Sequence, residues 1–103
     1  MDTDVVSGNI MEQNVDAVIV GVFEGEKGLD EVLGAMDRAL DGALISLMED
    51  GEIKGKKGEF TLVHTLGKIL PVRVLVAGLG KREMMDTEQV RTVSAHALRY
   101  LRG

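Results

Sequence analysis

Two runs of apolar residues, Ala17-Val-Ile-Val-Gly-Val-Phe23 and Val72 to Ala77, lack the alternation of a half-solvated strand. In the second run only Arg73 is polar, and Pro71 and Gly78 bound it. Continuous β-branched character of this kind predicts strands covered on both faces, interior to a sheet flanked by helices. Gly21 weakens the first run locally and marks a close backbone approach or a bulge. From Glu59 to Leu66 the pattern does alternate. Phe60, Leu62, His64 and Leu66 share one face and Thr61, Val63 and Thr65 the other, which predicts a half-buried strand nearer an edge. Its short link through Gly67-Lys68 and Pro71 to the Arg73 run allows antiparallel pairing, so the sheet is mixed.

Elsewhere the period becomes helical. Leu29, Val32, Leu33, Met36, Leu40, Ala43, Leu44, Leu47 and Met48 recur at three- and four-residue intervals, with Asp30, Asp37, Arg38 and Asp41 mainly on the opposite side. Gly34 and Gly42 each cost a helix interior about 1 kcal/mol relative to alanine. Asp41-Gly42 can close one helix and open another, so this segment is either two short helices or one bent helix. Glu49-Asp-Gly51 ends it. A last helix starts at Asp86 as N-cap, with Gln89 at the spacing of a capping box. Val90, Val93, Ala97, Leu98 and Leu101 form its apolar stripe. Arg99 and Arg102 suit the negative end of its dipole, and Gly103 follows as a C-cap. Near the start, Val5-Val6 reads as a short first strand closed by Ser7-Gly8-Asn9, with Glu12-Gln-Asn14 as a polar connector. The pattern describes a single α/β domain over residues 1–103, a mixed, mostly parallel sheet with helices on both faces.

Composition narrows the function classes. The 103 residues are 45% hydrophobic and 28% charged, which is globular rather than disordered. Twelve lysines and arginines against 17 acidic residues give a net charge of −5, which disfavours nucleic acid or an anionic membrane as the main partner. There is no cysteine, hence no disulfide framework and no thiolate chemistry. No apolar run approaches the ~20 residues needed to span a bilayer. The expectation is a soluble, cytoplasmic protein with no membrane partner.

Candidate chemistry is sparse. Gly78-Leu-Gly80 follows a strand and precedes a helix, a setting in which exposed amides bind phosphate, and Lys81 and Arg82 add positive charge. A dinucleotide fingerprint needs a third glycine where Glu83 stands, and that carboxylate would repel phosphate. Gly78, Gly80 and Lys81 are therefore weak phosphate-site candidates, set against a simple glycine turn that lets the chain leave the sheet. Lys54, Lys56 and Lys57 sit in a glycine-flanked loop that reads as solvated linker. His64 reads as a half-buried strand histidine and His96 as a solvent-facing one. Neither has a partner at metal-ligand spacing, so no metal site is assigned. Asp37 and Asp41, one helical turn apart, read as a solvated face rather than a cation site. Ser7, Ser46 and Ser94 lack the context of a nucleophile. No catalytic residue is assigned.

Several segments carry a resemblance in combination: Val5-Val-Ser-Gly-Asn-Ile10, Val15-Asp-Ala-Val-Ile-Val-Gly-Val-Phe23, Asp41-Gly-Ala-Leu44, Gly55-Lys-Lys-Gly-Glu59, His64-Thr-Leu-Gly67 and Arg73-Val-Leu-Val-Ala-Gly-Leu-Gly-Lys81. In this order and at these distances the chain resembles the N-terminal domain of the leucyl (cytosol) aminopeptidase family. The resemblance implies a mixed α/β fold similar to macro domains, followed by a C-terminal domain that hydrolyses peptides with two divalent ions, zinc or manganese. It also implies assembly as homohexamers. The family's metal-ligand signature, Asn-Thr-Asp-Ala-Glu-Gly-Arg, does not occur here. The chain is thus expected to be a non-catalytic accessory and assembly domain, with no cofactor of its own, lacking its last strand and helix and the catalytic domain of its parent. Its expected partners are that catalytic domain and other copies of itself.

Two alternatives remain. Ser7-Gly8-Asn9-Ile10 with Val15-Asp16-Ala17 resembles the opening of ADP-ribose-binding macro domains, which implies a stand-alone nucleotide-binding module using the backbone around Gly8, Gly25 and Gly78. Asn9 replaces the acidic residue that holds adenine in those domains. Glu24 and Glu26 stand where a diphosphate loop would lie, and their charge opposes binding. Nucleic-acid binding, which the family resemblance also raises, is opposed by the acidic balance.

Overall fold

The computed structural model describes residues 15–25 and 29–102. The expected first strand at Val5-Val6, its Ser7–Asn9 turn, the polar connector and the Gly103 cap lie outside the described residues. The elements in order are β1 (Ala17–Phe23), α1 (Glu31–Ala39), α2 (Ala43–Glu49), β2 (Phe60–His64), β3 (Arg73–Gly80), a 3₁₀ turn (Arg82–Met84) and α3 (Thr87–Arg102). The two apolar runs are β1 and β3, and they are neighbours. The sheet order is β1-β3-β2, with β1 parallel to β3 and β2 antiparallel to it.

Helices cover both faces, as the lack of alternation requires. On one face Val20, Val22, Val63, Val74 and Val76 meet Leu33, Met36, Leu40 and Leu44 from α1, α2 and their junction, with Ile53 beside them. Met36 is fully buried here, and burying such a side chain contributes about 1.5–3 kcal/mol. On the other face α3 lays Val93 and Ala97 against the sheet, and Tyr100 stacks on Phe60 at 5.5 Å between ring centroids. Only part of the predicted α3 stripe is covered, because Val90 and Leu98 stay exposed.

The long helical pattern resolves into two helices. Gly42 adopts φ +81° between them, a left-handed turn no helix interior contains. The break changes the fate of Asp37. Read from the sequence as part of a solvated face, it is buried, 8% exposed, and its Oδ1 accepts the Ile45 N–H at 3.0 Å. It caps α2 from the preceding helix, since Gly42 has no side chain with which to do so. At α3 the Gln89 N–H donates to Asp86 Oδ1 at 2.8 Å, as predicted, but the Gln89 amide turns to Met84 O and so forms only half a capping box.

Two further expectations need correction. The alternating strand ends at His64, which is exposed rather than half-buried, at the end of a strand on the edge of the described sheet. Thr65 turns inward instead: its hydroxyl donates to Pro71 O at 2.7 Å, locking the β2–β3 connection. Leu66 then stands 83% exposed at φ +56°.

Candidate functional site

The strongest sequence candidate, Gly78-Leu-Gly80-Lys81, lies at the carboxyl end of β3 beside the end of β1. That is where open α/β sheets hold ligands. The strand does not turn at Gly78 but continues to Gly80. Val22 pairs with Gly78 and Phe23 with Gly80, so Leu79 is an unopposed bulge residue. Its side chain lies over Gly21, where an added Cβ would come within 2.6 Å of Leu79 Cδ1. The glycine inside β1 is thus explained by the bulge on its neighbour.

Both glycine amides are already engaged. Gly78 N–H donates to Glu59 O at 2.7 Å and Gly80 N–H to Gly55 O at 2.8 Å. Gly80 O in turn accepts the Glu24 N–H at 2.8 Å. The lysine loop is therefore not free linker. Its backbone is pressed on the strand end so closely that a Cβ on Gly78 would sit 2.0 Å from Lys56 O. Gly55, at φ +79°, meets the Phe23 carbonyl in the same way, at 2.6 Å from an added Cβ. Glu59 holds the loop from within, because its Oε1 accepts both the Lys54 N–H (2.8 Å) and the Gly55 N–H (2.9 Å). Two consecutive amides that could hold an external anion are thereby filled by the chain's own carboxylate.

Side-chain charge gathers around this buckle. Lys54, Lys56, Lys57 and Lys81 are all exposed there, although the first three lie more than twenty residues from the fourth. The Arg82 guanidinium lies 4.1 Å above the Phe23 ring centroid, and the exposed Glu83 follows it. The result is a positive surface over a closed backbone, with no amide of Gly78 or Gly80 pointing at a ligand.

The remaining candidates are scattered. His64 on β2 and His96 on α3 are both exposed. Asp37 is committed to Ile45, and Asp41 pairs with Lys68 on the surface, so the two carboxylates do not share a site. Ser46 and Ser94 are exposed, and Ser7 lies outside the described residues. Among the described residues no three His, Cys, Asp or Glu side chains stand close enough to hold a metal ion, and no helix is long and apolar enough to cross a membrane. Sequence reading missed Glu59 and Thr65. A carboxylate following a glycine-lysine loop and a threonine at a strand end were the only signals available.

Comparison with known proteins follows the same lines. The sequence model of the cytosol aminopeptidase family, N-terminal domain, matches residues 19–103. A protein of Geobacter sp. (strain M21), described as a probable cytosol aminopeptidase, is 40% identical over 102 residues, covering 99% of this chain and 20% of the relative. Similarly described proteins of Idiomarina loihiensis and Alkaliphilus oremlandii are 37% and 32% identical, covering 98% and 96% of this chain and 20% of each relative. The chain spans about a fifth of the length of these relatives.

Proposed function

Because the chain belongs to the cytosol aminopeptidase family, within its N-terminal domain, we propose that it serves as a non-catalytic accessory and assembly domain of a longer aminopeptidase. The observation that carries this reading is the disproportion of the match. Nearly all of this chain aligns with only a fifth of each relative, which leaves most of an enzyme-length polypeptide to hold the chemistry. The parent releases N-terminal residues from peptides in the cytoplasm, works with two divalent ions, zinc or manganese, and assembles as a homohexamer.

The described residues of this chain do not fit such a metal centre, since their carboxylates and imidazoles are dispersed over α1, α3, β2 and the surface. No step of peptide hydrolysis is therefore routed through them. The nucleotide-binding alternative is weakened by the commitment of the Gly78 and Gly80 amides to Glu59 and Gly55.

The test compares the 103-residue chain with the full-length polypeptide on leucine p-nitroanilide, with manganese or zinc added. Turnover is expected only from the longer protein. Turnover by the short chain overturns the accessory reading, and an inactive full-length protein overturns the aminopeptidase reading.

A further inference from the structure

We propose that the apolar tip of the β2–β3 connection, built on Leu66, Leu70 and Val72, docks against an apolar surface of the longer polypeptide outside residues 1–103, within the same chain. Leu66 is the most exposed large apolar residue among those described, at 83%, and Leu70 and Val72 stand at 55% and 56%.

Turn chemistry does not account for this leucine. The Lys68 N–H donates to Thr65 O at 3.0 Å, closing a turn whose central residues, Leu66 (φ +56°) and Gly67 (φ +83°), are both left-handed. Such a turn favours Asn, Asp or Gly at its first central position. Leucine there carries the steric cost of its Cβ and holds an apolar side chain in water. Nothing among the described residues offsets either cost, whereas cover from outside would offset both. Backbone outliers of this kind collect at functional surfaces.

The tip is also held still. Thr65 N–H donates to Val72 O at 3.1 Å, the Thr65 hydroxyl donates to Pro71 O at 2.7 Å, and Pro71 is fully buried. Ile69, between the exposed residues, packs on the core, and Lys68 pairs with Asp41 at the junction of α1 and α2. The leucines thus stand on a fixed frame, which removes most of the ordering cost of a contact.

Size and charge select the occupant. Three side chains present far less than the ~800 Å² per partner of a stable interface between free proteins. A tethered partner needs less, because its effective concentration is on the order of millimolar. Such a partner is at hand: nearly all of this chain aligns with a fifth of each relative, so the other four fifths of a family-length polypeptide lie outside it. Lys68 is the one charge in residues 65–72 and Asp41 neutralises it, so the tip suits an apolar surface rather than a polyanion. The inference rests on the chain being part of a longer family member. Its readout is cross-linking rather than activity, so it fails separately from the aminopeptidase reading.

Photo-cross-linking of the full-length protein tests it, with benzoylphenylalanine in place of Leu70 and, in a second protein, of Val72. The expected product keeps the mass of one chain on a denaturing gel and joins the tip to a peptide outside residues 1–103. Adding Leu66→Asp should cut its yield at least ~10-fold, because a charge replaces the central anchor of the contact. A product of twice the mass assigns the tip to a second copy, and a link to residues 1–14 assigns it to this chain's own start; either overturns the proposal. So does the absence of a cross-link from both positions, or a yield that Leu66→Asp leaves unchanged.

Discussion

The carboxylate of Asp37, in the last turn of α1, accepts the main-chain N–H of Ile45, in the first turn of α2, at 3.0 Å. One buried side chain thereby fixes the angle between two helices that share a glycine junction. Asp37→Ala should cost about 1–2 kcal/mol of stability, because the cap is lost and a partly buried amide loses its partner. Asp37→Asn should cost less, since its Oδ1 can still accept. Urea unfolding of the two variants checks the order, and an Asp37→Ala protein as stable as the parent would remove the cap from the account.

Two glycine-to-alanine substitutions should act with opposite sign. Gly78→Ala places a methyl on the Lys56 carbonyl, where backbone must move, and should destabilise by about 2–3 kcal/mol. Gly34→Ala in α1 meets nothing nearer than Arg38 Nη1 at 3.7 Å and should stabilise by about 0.5–1 kcal/mol. Thermal unfolding of the pair provides the comparison.

The sequence made some of this legible and hid the rest for identifiable reasons. The Arg73–Gly80 run declared itself as an interior strand because burial on both faces leaves no alternation to misread, whereas the Ala17–Phe23 run, also expected inside the sheet, stands at the edge of the described strands with Ile19 exposed. Asp86 announced α3 through purely local capping chemistry. Asp37 was concealed because its face depends on where the helix stops. The break at Gly42 was expected, but not the direction in which α2 leaves it, and that direction brings the Ile45 amide onto Asp37. The engagement of Gly78 with Glu59 and of Gly80 with Gly55 joins segments about twenty residues apart, and no local pattern encodes it. The candidate site was legible as a place and as a set of residue types, but not as closed.

The Thr65 hydroxyl donates to Pro71 O and lies near Val72 O, and the residue is almost wholly buried. Thr65→Val keeps the shape and removes the donor, so the cost should be about 1–3 kcal/mol from the buried carbonyl left without it. Thr65→Ser should recover most of that. Equal stability of the two variants would assign the role of Thr65 to packing alone.

Leu66 stands in the left-handed region with most of its surface in water, so it contributes strain and little burial. Leu66→Asn, a residue that tolerates this conformation, should raise the stability of the 103-residue chain by about 0.5–1 kcal/mol. Chemical denaturation measures this, and a loss of stability would mean that the leucine makes contacts beyond those described.

Titration with inorganic phosphate or ADP-ribose should leave the NMR amide signals of Gly78 and Gly80 in place at millimolar ligand, because both protons are spent within the chain. Saturable shifts at these two signals would require the Lys54–Gly58 loop to lift away.

That loop also ties distant stretches into one fastening. Gly80 holds Gly55 through its amide and Glu24 through its carbonyl, so the tips of both parallel strands and the lysine-bearing bend are knotted at a single residue. Lengthening or shortening residues 54–58 would tug on two strands at once. This stretch should therefore resist insertions that a surface bend of its charge would ordinarily absorb.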